Sequence, residues 1–166
     1  MSVSEWRAER LSALVKEREL DVLLVTNLVN IRYVCGFSGT NGVCVVDSER
    51  RVLVTDFRYI ERAGAEAPGW DVVRGKRDLL DAVAASATER ASGAIRIGFD
   101  DAQMTERLHR RLAELLPGDA ELVHAAGIVE ELRAVKDPGE VRSIREAAKL
   151  ADELYTWLIE DLGLSG

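Results

Sequence analysis

The stretch GVCVVDSERRVLVTD, residues 42–56, decides how this chain must fold. Two runs rich in valine and leucine, 42–47 and 50–56, are separated by only Ser48 and Glu49. Such a short connection predicts two antiparallel strands that form a hairpin. A sheet that contains this hairpin cannot be purely parallel.

Helices and strands are predicted to alternate on both sides of the hairpin. Residues 21–26 are a continuous apolar run, which is typical of a strand buried on both faces. Residues 4–19 have helical spacing, with Ser4 as the expected N-cap. Further strands are predicted at 70–75, 94–100 and 120–125, and further helices at 77–90 and 103–116. This pattern predicts a three-layer α/β/α domain with a mixed sheet of about six strands.

The last part of the sequence predicts one long helix. Asp137 is the expected N-cap, Pro138 takes the first helical position, and Glu140 completes a capping box. Apolar residues then recur in steps of three and four over about 25 residues, or roughly 37 Å of helix. They are Val141, Ile144, Ala148, Ala151, Tyr155, Leu158 and Leu162. We expect this stripe to lie against another surface.

Composition and charge exclude several classes of protein. The 166 residues suffice for one domain, and the formal net charge of −7 argues against a nucleic acid or an anionic membrane as partner. No apolar run is long enough for a signal peptide or a membrane span. Cys35 and Cys44 lack CxxC spacing and lie in apolar stretches, which predicts reduced, packed thiols and a cytoplasmic protein. The two histidines, His109 and His124, lack the spacing of a zinc site.

The glycine-rich stretch CGFSGTNG, residues 35–42, does not match a phosphate-binding loop. The glycine spacing is wrong, no Lys follows, and a strand rather than a helix comes next. A turn that uses the conformational freedom of glycine before the hairpin is the simplest interpretation. Asp100 and Asp101 are expected to cap a helix, and Glu130 and Glu131 to face water. A small hydrolase that uses Asp100 or Asp101 is the weakest alternative, because no nucleophile, base and oxyanion grouping can be assembled.

Three segments together resemble the creatinase/prolidase family in its N-terminal domain. NIRYVCGFSGTNG (30–42) resembles that family's glycine turn, and LVTDFRYIERA (53–63) resembles its strand that ends in T-D-x-R-Y and leads into a helix. ELRAVKDPGEVRSIREAAKLADE (131–153) is similar to its linker and to the first helix of its catalytic domain. The resemblance covers nearly the whole chain and points to Xaa-Pro dipeptidases and aminopeptidases P.

The resemblance implies a metallopeptidase of two domains. Residues 1–130 are expected to be its N-terminal α/β domain, and residues 131–166 the linker and first helix of the catalytic domain. That catalytic domain holds two divalent metal ions (manganese, cobalt or zinc) on two Asp, one His and two Glu. These positions have no counterpart here, so the chain is expected to be truncated, to lack catalysis by itself and to carry no cofactor. The implied partners are a second copy in a homodimer, the missing catalytic domain and short proline-containing peptides.

The resemblance also implies a role for the glycine turn in controlling access to the partner subunit's active site. The candidate residues are Phe37, Ser38, Gly39, Thr40 and Asn41, with Asp56, Arg58 and Tyr59 from the second segment. In the simpler interpretation Asp56 caps the next helix, Arg58 pairs with a surface carboxylate and Tyr59 packs. In the functional one Arg58 reaches across the interface toward a substrate carboxylate. A non-catalytic module that binds peptides or proteins is the alternative function.

Overall fold

A computed structural model of the chain describes residues 3–100 and 102–160. The strands are β1 (Val22–Val25), β2 (Gly42–Val46), β3 (Arg51–Thr55), β4 (Asp71–Arg74), β5 (Ile95–Phe99) and β6 (Ala120–His124). The helices are α1 (Val3–Glu17), α2 (Leu28–Cys35), α3 (Ile60–Glu66), α4 (Leu80–Thr88), α5 (Glu106–Leu115), α6 (Ile128–Ala134) and α7 (Pro138–Glu160).

The six strands form one mixed sheet in the order β4-β3-β2-β1-β5-β6. The predicted hairpin is confirmed: β2 pairs antiparallel with β3, so that Gly42 lies opposite Thr55 and Val46 opposite Arg51. β1 continues the sheet antiparallel to β2 and parallel to β5. β4 and β6 complete it as parallel neighbours of β3 and β5.

Each face of the sheet is covered by helices, which confirms the predicted three-layer architecture. Leu23 and Val25 of β1 belong to a core that includes residues of α1, α2, α3 and α6. Val22 and Leu24 belong to a second core with residues of α4 and α5. Successive side chains of a strand point to opposite faces, so a strand covered on both sides must be apolar throughout.

Helix α2 was not expected from the sequence, which predicts only a turn at the glycines of residues 35–42. Asn27 caps this helix, because its Oδ1 accepts a hydrogen bond from the backbone N–H of Val29 at 2.9 Å. At the other end Gly36 takes a left-handed conformation, with φ 86°. With only eight residues, α2 is too short for a periodic pattern to distinguish it from a strand or a turn.

Other local predictions need correction. The described part of α1 begins at Val3, so Ser4 lies inside the helix rather than before it. α5 begins at Glu106 rather than near 103, because Thr105 caps it. The two glutamates expected to face water are exposed as predicted and lie in α6, and each also binds a side chain. Glu130 accepts from Asn30 Nδ2 at 2.7 Å, and Glu131 from Arg18 Nη2 at 2.6 Å.

The two cysteines are packed, free thiols, as the sequence predicts. Both are buried, and Cys44 Sγ donates to Cys35 Sγ across 4.0 Å. This hydrogen bond lowers the pKa of Cys35, whereas burial raises the pKa of Cys44 well above its usual value.

The chain divides into two compact units, Met1–Leu132 and Arg133–Gly166. The second contains α7, and its predicted capping box is confirmed: Asp137 Oδ1 accepts from the backbone N–H of Glu140, whose Oε2 accepts from that of Asp137, both at 2.9 Å. No described residue of α7 is buried, and Leu162 lies outside the described residues. The predicted boundary at residue 130 and the assignment of 131–166 to a catalytic domain stay predictions.

Candidate functional site

A loop of residues 36–41 connects α2 to β2 and begins with a position that requires glycine. The N–H of Gly36 donates to Arg32 O at 3.0 Å and so closes the last turn of α2. A Cβ at Gly36 would lie 2.8 Å from the backbone oxygen of Glu66, in addition to the strain of the positive φ. The loop therefore leaves the helix in close contact with the end of α3.

Phe37 turns inward and supports the rest of the loop. Its side chain is 1% exposed, and its ring meets that of Tyr59 edge to face, with centroids 5.9 Å apart. Gly39 lies against the same ring, since a Cβ there would be only 2.2 Å from Phe37 Cζ. Phe37 and Gly39 therefore fix the path of the loop.

Ser38 ties the loop to α3. Its backbone N–H donates to Glu66 Oε2 at 2.7 Å, and its hydroxyl donates to Glu66 Oε1 at 2.8 Å. Both hydrogen bonds lower the pKa of Glu66 because they favour the ionised carboxylate, and the bond from the Ser38 backbone has the larger effect. Glu66 was not among the residues predicted from the sequence, because 28 residues separate it from Ser38.

Asp56 is the polar centre of the site. Its carboxylate is 2% exposed and accepts from Arg58 twice, at 2.9 Å from Nε and 2.7 Å from Nη2. Asn41 Nδ2 donates to the same carboxylate at 2.6 Å. The hydrogen bonds from Arg58 hold the pKa of Asp56 well below its usual range, and the hydrogen bond from Asn41 makes the second largest contribution. The network joins the loop to the end of β3.

This arrangement corrects the simpler interpretation of the second segment. Asp56 does not cap α3, whose N-cap position is taken by Tyr59 without a side-chain bond. The partner of Arg58 is a buried carboxylate rather than a surface one. The Arg58 side chain nevertheless remains 51% exposed.

Tyr59 contacts the loop through both its hydroxyl and its ring. Its hydroxyl lies 2.7 Å from Thr40 Oγ1, and this hydrogen bond lowers its pKa. The guanidinium carbons of Arg58 and Arg62 lie 5.2 Å and 5.7 Å from the centre of its ring. All eight residues predicted from the sequence thus belong to one connected structure.

Phe57 is a further residue of this surface that the sequence analysis missed. It lies between Asp56 and Arg58, and 66% of it is exposed. The segment TDFRY could have indicated this residue, because an aromatic side chain directly follows the aspartate. Together, Phe57 and Arg58 present an apolar ring and a cation beside the loop.

The resemblance implies a pair of metal ions for the catalytic domain, and the described residues contain no group that could hold them. No group of three or more His, Cys, Asp or Glu that could hold a metal occurs within residues 3–100 and 102–160. Asp100 binds its own turn, its Oδ1 accepting from the N–H of Ala102 at 3.1 Å, and Asp101 lies outside the described residues.

A family model described as the creatinase/prolidase N-terminal domain matches residues 7–135. The chain belongs to this family. It is 32% identical to the uncharacterized peptidase YqhT of Bacillus subtilis, over 92% of this chain and 42% of that protein. It therefore spans less than half the length of this relative.

Solved structures agree with the family. A structure of an Xaa-Pro dipeptidase from Bacillus anthracis superposes with a TM-score of 0.85 and 32% identity, over 94% of this chain and 43% of the other. The N-terminal domain of the cytoplasmic peptidase PepQ from Mycobacterium tuberculosis gives 0.70 and 38%, over 76% of this chain and 98% of the other. No helix in the described part of this creatinase/prolidase N-terminal domain is long and apolar enough to span a membrane.

Proposed function

We propose that this domain is the non-catalytic N-terminal part of a metal-dependent Xaa-Pro peptidase, and that it limits substrate access to the active site of a partner subunit in a homodimer. The similarity to an Xaa-Pro dipeptidase supports the substrate class, short proline-containing peptides. The name of PepQ supports a cytoplasmic location. Two divalent ions (manganese, cobalt or zinc) would belong to the catalytic region.

The observation that carries the access role is the exposed cation of Arg58 on a buried support. Asp56 accepts hydrogen bonds from Nε and Nη2 of Arg58, which restrict the rotation of the guanidinium. Half of the Arg58 side chain nevertheless remains exposed to solvent. A cation fixed in this way can receive a peptide carboxylate at little cost in side-chain entropy.

The loop offers the second half of this proposed surface. Ser38 and Thr40 are exposed, whereas Phe37 and Gly39 are buried. We therefore assign Phe37 and Gly39 the task of holding the loop, while Thr40, Phe57 and Arg58 would meet the peptide. Asn41, Asp56 and Tyr59 would position these three groups.

The first test separates this chain from its catalytic region. The purified chain is incubated with excess manganese, an Xaa-Pro dipeptide and an Xaa-Pro-Xaa tripeptide. We expect no turnover of either peptide. Turnover that scales with the concentration of the chain would overturn the non-catalytic assignment.

The second test uses the peptidase in which this chain is continued by its catalytic region. Arg58→Gln is expected to raise the KM for a dipeptide about tenfold with little change in kcat, because it removes a binding contact rather than a reacting group. Arg62→Gln is the matched control, since Arg62 also lies over the Tyr59 ring. Equal kinetics of the two variants would refute the role of Arg58, and a longer protein without any peptidase activity would favour the binding module instead.

A further inference from the structure

A cavity of about 530 Å³ lies on the side of the sheet that α4 and α5 cover. It opens where β1 ends, at Thr26, and where α4 and α5 begin. Its lining is largely apolar, with Leu80, Met104 and Leu108, and it also includes Thr26, Arg77 and Arg107. Neither the family assignment nor the proposed access role requires such a cavity.

The charged groups of the cavity favour an anion with a single charge. Arg77 and Arg107 have no ion-pair partner within residues 3–100 and 102–160, so both cations are available. Asp78 is the one carboxylate in the lining, and its Oδ1 accepts from the N–H of Leu80 at 3.1 Å at the start of α4. Two cations and one anion leave one positive charge. A doubly charged phosphate would remain partly uncompensated and would meet Asp78.

A polar atom at the cavity wall lacks a partner. The hydroxyl oxygen of Thr26 is buried without a hydrogen bond among the described residues. Buried hydroxyls are normally satisfied, and an exception calls for a water molecule or a ligand. Because this oxygen is closed to solvent, a ligand in the cavity would reach it only after the Thr26 side chain rotates toward the cavity.

We propose that this cavity binds a small carboxylate with an apolar body, the carboxylate facing Arg77 and Arg107 and the body lying against Leu80, Met104 and Leu108. The volume falls within the roughly 300–1,000 Å³ that is typical of small-molecule sites, and so does the combination of apolar walls with a few polar groups. Arg guanidinium groups bind a carboxylate through two parallel hydrogen bonds, which gives the preference for this head group.

The cavity and the loop site share one residue. Asn41 lines the cavity, and its Nδ2 donates to Asp56 Oδ2 at 2.6 Å. A ligand that displaces Asn41 would therefore remove one of the hydrogen bonds to the Asp56 carboxylate. The binding proposal itself does not depend on the access role, because all of its groups belong to the cavity.

The test is a titration of the ¹⁵N-labelled chain with N-acetyl-leucine, followed by two-dimensional NMR. N-acetyl-leucinamide, which has the same body without the charge, is the matched probe. We expect saturable shifts at the amides of Thr26, Leu80, Met104 and Leu108 with a Kd in the millimolar range or below. The amide is expected to bind at least tenfold more weakly.

Variants locate the charge that is responsible. The double variant Arg77→Gln/Arg107→Gln is expected to weaken binding of N-acetyl-leucine at least tenfold. Arg110→Gln, which changes an arginine of α5 that is paired with Glu106 and does not line the cavity, is expected to leave the Kd unchanged. The spectra without ligand report whether each variant is folded.

Four results would overturn the proposal: no saturable shifts at these amides, equal binding of the acid and the amide, equal weakening by Arg110→Gln, or displacement of N-acetyl-leucine by an equal concentration of inorganic phosphate. Shifts at the same amides that depend on protein concentration without any ligand would also overturn it, because they would identify a second copy of the chain as the occupant.

Discussion

The β2–β3 hairpin has a carboxylate–guanidinium network at each of its ends, and the two networks lie in different surroundings. Near the Gly42–Thr55 pair, which we call the loop end, the Asp56 carboxylate is 2% exposed and is held by Arg58 and Asn41. At the opposite turn end, Arg50 pairs with Asp71 and Glu89, whose side chains are 62% and 58% exposed.

The same chemical groups should therefore have different energetic weights. A buried carboxylate that loses its partners keeps the full cost of its desolvation, so its network cannot be removed piece by piece. An ion pair whose carboxylate is exposed is screened by solvent, so the loss of that carboxylate costs little, although Arg50 itself is only 24% exposed. We expect the loop end to be rigid and sensitive to substitution and the turn end to be tolerant.

The largest effect is expected from Gly39→Ala, which acts on the support of the loop end. The new Cβ would clash with Phe37 Cζ, and the ring is buried, so it cannot move aside without disturbing its own packing. We expect the free energy of unfolding to fall by about 3 kcal/mol, as measured by urea denaturation. Gly64→Ala is the control, because a Cβ there meets nothing within 4 Å. Equal losses in the two variants would show that the contact with Phe37 does not matter.

The next effect is expected from Asp56→Ala, which removes the centre of the loop-end network. Arg58 and Asn41 lose their shared acceptor, and Thr55 next to it lies in the fully buried end of β3. We expect the melting temperature to fall by about 5 °C or more, as measured by calorimetry. A change no larger than that of Asp71→Ala at the turn end would contradict the proposed difference between the ends.

The pH dependence sharpens the comparison further. The pKa of Asp56 is lower in the folded chain than in the unfolded chain, so its stabilisation is complete above about pH 5 and is lost as the pH falls below that. We expect the stability of the native chain to decrease from pH 5 to pH 2 more steeply than that of Asp56→Asn. Urea denaturation at several pH values measures both slopes, and parallel curves would refute the contribution of Asp56.

The smallest effect is expected from Asp71→Ala at the turn end. This change removes one of the two partners of Arg50, which keeps Glu89. We expect the free energy of unfolding to change by less than about 1 kcal/mol, and the change to shrink further in 0.5 M salt. A loss as large as that of Gly39→Ala would show that exposure does not distinguish the two networks.

Short-range patterns in the sequence were sufficient for most of the fold. The apolar runs at β1, β2 and β3 identify strands because a strand covered on both faces cannot alternate with polar residues. The capping box at Asp137 is equally local, since all of its hydrogen bonds lie within four residues. The eight candidate residues were found through the family resemblance, and the structure places them together. Their role in access stays a prediction.

What the sequence by itself determined is therefore the set of strands, the hairpin and the start of the long helix, because each depends on neighbours along the chain. The tertiary structure alone decided that α2 is a helix, that Glu66 receives Ser38, that Arg58 rests on a buried Asp56, and that a cavity opens beside Asn41. These features join residues that are distant in sequence, or depend on burial. The burial of a single polar side chain such as Asp56 depends on the packed chain, and its neighbours in the sequence do not predict it.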